Sequence, residues 1–183
     1  MREIDKRTQV RRREFLRGGA AAAPAVAVMA TGARITPEAA WATDARNLKP
    51  ETIATLVKAA RDIFPHDRFP DRFYIAAVVP YDDRAGSDAD LKALMEEGVG
   101  VLNAEARRRF RRGYLAIGTE EQRVEVLRAV EATPFFKRLR GDLVVSLYNQ
   151  KEVWTKLGYE GSSFEHGGYL ERGFNDIDWL PEA

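Results

Sequence analysis

Pro50-Glu51-Thr52-Ile53-Ala54-Thr55-Leu56-Val57-Lys58-Ala59-Ala60-Arg61-Asp62-Ile63-Phe64-Pro65 decides the fold class of this chain. Its apolar residues Ile53, Leu56, Val57, Ala60 and Phe64 recur at three- and four-residue steps, the spacing that lines up one side of a 3.6-residue helix. Pro50 is placed to open the helix, where a missing N–H costs nothing because first-turn donors lack intrahelical acceptors. Pro65 is placed to close it. The spacing predicts one buried face, which other elements must cover.

Downstream the same period returns. After Pro70, Phe73, Tyr74, Ala77 and Val78 suggest a second, shorter helix that stops before Pro80, although the apolar run from Ile75 to Val79 also suits a strand. Ser87 with Asp90 three residues on resembles a capping box, opening a stripe of Leu91, Leu94, Met95, Val99 and Leu102. Gly98 and Gly100 either weaken that helix, by roughly 1 kcal/mol each relative to Ala, or mark close approach of a neighbour. Arg107 to Arg112 sets five arginines around Phe110 and reads as a solvated face rather than an anion site. Thr119-Glu120-Glu121-Gln122 is an N-terminal cap, with Val124, Leu127 and Val130 as the stripe behind it. Pro134 starts a last long helix with Phe135, Leu139, Leu143 and Leu147 as its spine, widened by Val144 and Tyr148. With no convincing strand alternation, the expected fold is an all-α small helical bundle.

Composition changes at Gly158. From there to Phe174 glycines alternate with aromatics. Glycine permits positive φ and disfavours regular helix, so an irregular extension, 158–183, is expected beyond a helical domain of 43–157. Disordered segments are poor in aromatics, whereas this one carries Tyr159, Phe164, Tyr169, Phe174 and Trp179. Either the rings pack back on the bundle or they meet a partner.

At the other end, Arg11-Arg12-Arg13-Glu14-Phe15-Leu16-Arg17 precedes an Ala-rich run from Gly18 to Ala30 and then Ala40-Trp41-Ala42. A basic region, a short apolar region and a small-x-small site form an export signal. Arg12 and Arg13, followed by Phe15 and Leu16, match the twin-arginine pattern. The apolar run contains Pro24 and falls short of the ~20 apolar residues that span a bilayer. Cleavage after Ala42 would make 1–42 a signal peptide and place the rest in the periplasm.

The leader carries eight Lys or Arg and four acids. Of the whole chain's 29 basic and 28 acidic residues, 21 and 24 remain, a net charge of −3. A nucleic-acid role loses its charge argument. Cysteine is absent, so disulfides, covalent haem attachment, thiolate zinc and iron–sulfur ligation within the chain are excluded.

Catalytic chemistry has little to build on. The histidines are His66 and His166. His66 with Asp67 and Asp71 could form a metal or acid/base site, the basis of an alternative reading as a free-standing periplasmic metal-binding protein or enzyme. The competing reading is a polar loop between Pro65 and Pro70. Tyr81-Asp82-Asp83 with Asp88 and Asp90 lacks calcium-loop spacing and reads as a solvated loop. There is no dinucleotide fingerprint, phosphate-binding loop or nucleophile elbow.

The leader, the small helical domain and the run Phe135-Phe136, Leu139-Arg140, Leu147-Tyr148-Asn149, Trp154, Gly158-Tyr159 and Gly167-Gly168 together resemble the gluconate 2-dehydrogenase subunit 3 family. Members are small, exported subunits of membrane-associated flavin dehydrogenases. The resemblance implies a non-catalytic oxidoreductase subunit with no cofactor of its own. Its partner would be a flavin-dependent large subunit of the glucose-methanol-choline type, holding FAD and oxidising a sugar or sugar acid. A c-type cytochrome is a possible third subunit. The acidic, aromatic ending Asn175 to Pro181 has no place in the family pattern. On this reading Tyr159, Phe164, Tyr169, Arg172, Phe174 and Trp179 are the candidate partner interface, since Tyr, Trp, Phe and Arg are enriched at interface cores.

Overall fold

The computed structural model describes residues 45–170, which lie within one compact unit, Ala42–Ala183. The fold is all-α. Six α-helices and two short 3-10 turns make 72% of the interpretable chain helical, with no strand among the described residues. Residues 1–42, the expected leader, lie outside those residues.

Helix α1 spans Pro50–Ile63 with Pro50 in its first turn. It is more deeply buried than a one-faced helix: Ile53, Ala54, Leu56, Val57, Ala59 and Ala60 are all in the core, and so are Thr52 and Thr55. The threonines are tolerated because each hydroxyl is spent. Thr55 donates to the Glu51 carbonyl one turn back, and Thr52 donates to Glu96. Alanine at 54, 59 and 60 lets neighbouring helices approach from several sides. Full burial of Leu56, at 0% exposure, is worth about 1.5–3 kcal/mol.

Helix α2 spans Asp71–Ala85 and runs straight through Pro80, so the expected stop before Pro80 is wrong, as is the strand option for 75–79. An interior proline removes one ladder bond and costs ~3 kcal/mol. The carbonyl left without its donor belongs to Ala76, an exposed residue that water can reach. What holds the last turn lies beyond Pro80: Tyr81 is buried and donates to Asp142 across the bundle, and Asp82 is buried as well.

Helix α3, Ala89–Phe110, is capped by Asp88, whose carboxylate accepts the Leu91 N–H at 2.8 Å. The cap sits one residue after the Ser87 expected from sequence. Both glycines are in the helix interior, yet they differ. A methyl on Gly98 would come within 2.1 Å of the Phe135 ring, whereas one on Gly100 would meet nothing. The arginine cluster ends the helix in solvent, with Arg108 and Arg109 both paired to Glu105. Those two partners hold the Glu105 carboxyl down at about 2.

A 3-10 turn, Tyr114–Ala116, leads to α4, Glu120–Val130, capped by Thr119 as expected. Its buried stripe is Arg123, Val126, Leu127 and Val130, with Val124 only half-buried. Arg123 is buried because it grips Asp62 of α1 through both carboxylate oxygens, at 2.7 and 2.8 Å, while Tyr114 donates to the same carboxylate. Helix α5, Pro134–Tyr148, buries Phe135, Leu139, Leu143 and Leu147. Val144, expected to widen its apolar face, is 48% exposed. Helices α1, α2, α3 and α5 pack against one another, and α4 closes over α1 and α3. A short α6, Lys151–Leu157, leans on α5.

Candidate docking surface and leader junction

The candidate residues fall at two ends of the domain. At the N-terminal end, residues 46–49 are tied down as a strap. The backbone N–H groups of Arg46, Asn47 and Leu48 all donate to the Asp82 carboxylate at 2.7–2.9 Å, and the Asn47 amide donates to the Asp82 carbonyl. The Lys49 N–H and the Thr52 hydroxyl donate to Glu96, which also pairs with the Lys49 ammonium at 3.1 Å. Leu48 is buried beneath the strap. Burial disfavours the charge on Asp82, but the donated backbone N–H groups outweigh it and hold the carboxyl below its ordinary value. Glu96 follows the same balance: desolvation raises it, the donors on Lys49 and Thr52 lower it more, and the net shift is downward.

The solvated-loop reading of Tyr81-Asp82-Asp83 is therefore corrected for its first two residues, while Asp83 is exposed. Nothing in the local sequence marks Asp82 for this work. Its position two residues beyond a proline argues for a loop, and only the placement of α2 against residues 46–48 shows what it grips.

At the C-terminal end, α6 is fixed by specific bonds rather than by bulk. Val153 is its buried residue, Gln150 donates to the carbonyls of Phe73 and Ser146, and Trp154 donates its indole N–H to the Tyr148 carbonyl at 2.5 Å. Arg72 pairs with Glu152 at 2.6 Å. Gly158 ends the helix at φ 77°, and Gly167 and Gly168, at 83° and 81°, turn the chain after a 3-10 turn at Ser163–His166. These angles strain any residue with a Cβ. Tyr159 stands edge-on to Trp154, with ring centroids 5.4 Å apart.

Beyond that contact the rings lie in water. Phe164 is 88% exposed, Tyr169 68% and Leu170 88%. Of the sequence-derived interface residues, Tyr159, Phe164 and Tyr169 thus sit on one exposed segment. Arg172, Phe174 and Trp179 lie outside the described residues, as do Arg12, Arg13, Phe15, Leu16, Ala40 and Ala42. Leu170 and the half-exposed Leu157 were not singled out from sequence, since an isolated leucine carries no motif.

The third set, His66, Asp67 and Asp71, is not brought together as a site. His66 hydrogen-bonds the Tyr148 hydroxyl through Nε2 at 2.7 Å and stacks on Phe69. Burial and the nearby Arg61 guanidinium lower its pKa, against an upward pull from Asp67. Asp71 is held by Arg61 at 2.5 and 2.8 Å. Among the described residues no group of three or more His, Asp or Glu side chains is placed to hold a metal ion. None of the described helices is long and apolar enough to cross a membrane.

Comparison with protein-family models, with curated proteins and with solved structures finds no match.

Proposed function

We propose that this chain is a non-catalytic small subunit of a periplasmic flavin-dependent sugar or sugar-acid dehydrogenase. It supplies the twin-arginine export signal for a leaderless catalytic subunit and stabilises that partner. The observation that carries the reading is the exposure of Phe164, Tyr169 and Leu170 on a glycine-turned segment next to α6. Large rings left in water on an ordered segment are what a docking surface presents before its partner arrives. The leader motif at Arg12 and Arg13 supports the export half, and the likeness of 135–168 to the subunit 3 family supports the choice of partner. FAD belongs to the partner, which must fold around it before crossing. A c-type cytochrome would complete the electron path.

Native purification with identification of the co-eluting chains tests the complex. Changing Arg12→Lys together with Arg13→Lys tests the carrier role. The expected result is a flavoprotein that co-purifies and, in the double variant, dehydrogenase activity trapped in the cytoplasm. Normal periplasmic activity in that variant would falsify the carrier role.

A further inference from the structure

Arg107, Arg108, Arg109, Arg111 and Arg112 stand at the C-terminal end of α3 against one acid, Glu105. The structure divides them. Arg108 and Arg109 are held by Glu105, whereas Arg107, Arg111 and Arg112 are exposed and pair with no carboxylate among the described residues. The negative end of a helix dipole favours cations in the last turn, which accounts for Arg107. It does not account for Arg111, which follows the helix at φ 58° and is the one described non-glycine residue in the left-handed region. That conformation crowds any Cβ, and glycine is its usual occupant after a helix. An arginine there destabilises the turn and forms no ion pair in return.

Their arrangement selects the kind of partner. Successive helical residues fan out by about 100° around the axis, so Arg107, Arg108 and Arg109 leave α3 on different sides, while Arg111 and Arg112 continue past its end. A segment lying along one side of the helix meets one or two of them. A broad surface laid across the helix end can meet them together. Half-buried Phe110 and Leu115, 39% exposed on the following 3-10 turn, add apolar groups at the same end. We propose that this end of the domain seats on a membrane surface carrying anionic phospholipids, with Arg107, Arg111 and Arg112 on headgroup phosphates and Leu115 at headgroup level. The planar guanidinium fork matches a phosphate through two parallel bonds, and mobile headgroups can each move to meet one. Charge also sets the orientation: residues 43–183 carry 21 basic against 24 acidic residues, so an anionic surface attracts this end and repels the rest. The acids that come next, Glu120 and Glu121, lie in the first turn of α4, where the positive end of its dipole offsets them in part. The inference is independent of the partner reading and uses none of the rings assigned to that surface.

Co-sedimentation with vesicles of phosphatidylcholine, alone or mixed with phosphatidylglycerol, tests the proposal. The full chain is used with Arg11→Gln, Arg12→Gln, Arg13→Gln and Arg17→Gln, so that the charge of the leader does not mask that of the α3 end. Binding to the mixed vesicles is expected, weakening as salt rises, with little binding to phosphatidylcholine alone. Each cation near an anionic membrane surface contributes roughly fivefold in affinity, so adding Arg107→Gln, Arg111→Gln and Arg112→Gln together should weaken binding by about a hundredfold. Arg111→Gly separates binding from folding. It removes one cation and the crowded Cβ at once, so vesicle binding should fall roughly fivefold while thermal unfolding comes no earlier. Equal binding of the triple variant and its parent to the mixed vesicles would overturn the proposal, as would equal binding to the two vesicle types or no binding to either. Displacement by inorganic phosphate at constant ionic strength would make the helix end a discrete anion site instead, and would also overturn it.

Discussion

Residues 46–49 and 159–170 enter and leave the same domain, yet one is fastened and the other is offered. The entering strap gives successive backbone N–H groups to a single buried carboxylate and hides Leu48. The leaving segment is shaped by three glycines in left-handed conformations and leaves Phe164 and Leu170 almost wholly in water. The contrast follows from where hydrogen-bond partners come from. The strap finds them on α2 and α3, elements distant in sequence, and so exists only when the bundle is assembled. The C-terminal turns are made from local bonds, such as the Gly168 N–H to the Ser163 carbonyl at 2.7 Å, and need little from the core.

Breaking the strap should therefore have the largest effect. Asp82→Ala removes the acceptor of three N–H groups, and bonds to a charged partner are worth about 1.5–3 kcal/mol each before non-additivity. A loss of roughly 3 kcal/mol in denaturant unfolding is expected, together with faster tryptic cutting after Arg46, the basic residue of the strap not followed by proline. Asp82→Asn keeps one carbonyl oxygen and should lie in between. If trypsin cuts the wild-type and Asp82→Ala chains equally fast there, the strap is not closed in solution.

Acid sharpens the same contrast with a smaller effect. Asp82 and Glu96 both have folded-state pKa values below their ordinary ones. Their contribution is therefore present above the unfolded carboxylate range, about 4, and is lost as pH falls through the lower folded values. Stability should decline below pH ~4, and Asp82→Ala should flatten that decline. An unchanged acid profile in the variant would assign the decline to other carboxylates.

Legibility in the sequence follows the same divide. The helices could be read wherever local signals agreed: Pro50 and Pro134 at N1, the Thr119 cap, and the Phe135-Leu139-Leu143-Leu147 spine were all visible. Local rules failed where a distant residue decided the matter. Pro80 stays within α2 because Tyr81 and Asp82 are held from elsewhere. Gly98 and Gly100 look alike in sequence, and the Phe135 ring across the bundle separates them. For the candidate site, Tyr159, Phe164 and Tyr169 could be named as rings needing a destination, but their exposure depends on how Gly158, Gly167 and Gly168 turn the chain. Asp82 and Glu96 could not be named, since an acidic residue gives no sign of which N–H groups will reach it.

The smallest effect on stability is expected at the exposed rings, and it is the most telling for function. Phe164→Ser and Tyr169→Ser remove side chains with little buried area to lose, so unfolding should shift by no more than about 0.5 kcal/mol. If these rings are the partner's contact, the same changes should weaken co-purification of the flavoprotein by roughly tenfold or more, since central aromatics at interfaces often cost above 1.4 kcal/mol when truncated. A stability loss near 2 kcal/mol would mean the rings are buried in the free chain and belong to the fold, removing the difference between the two ends. An unchanged stability with unchanged co-purification would move the docking surface away from Phe164 and Tyr169, while leaving the strap as the fastened start of the described bundle.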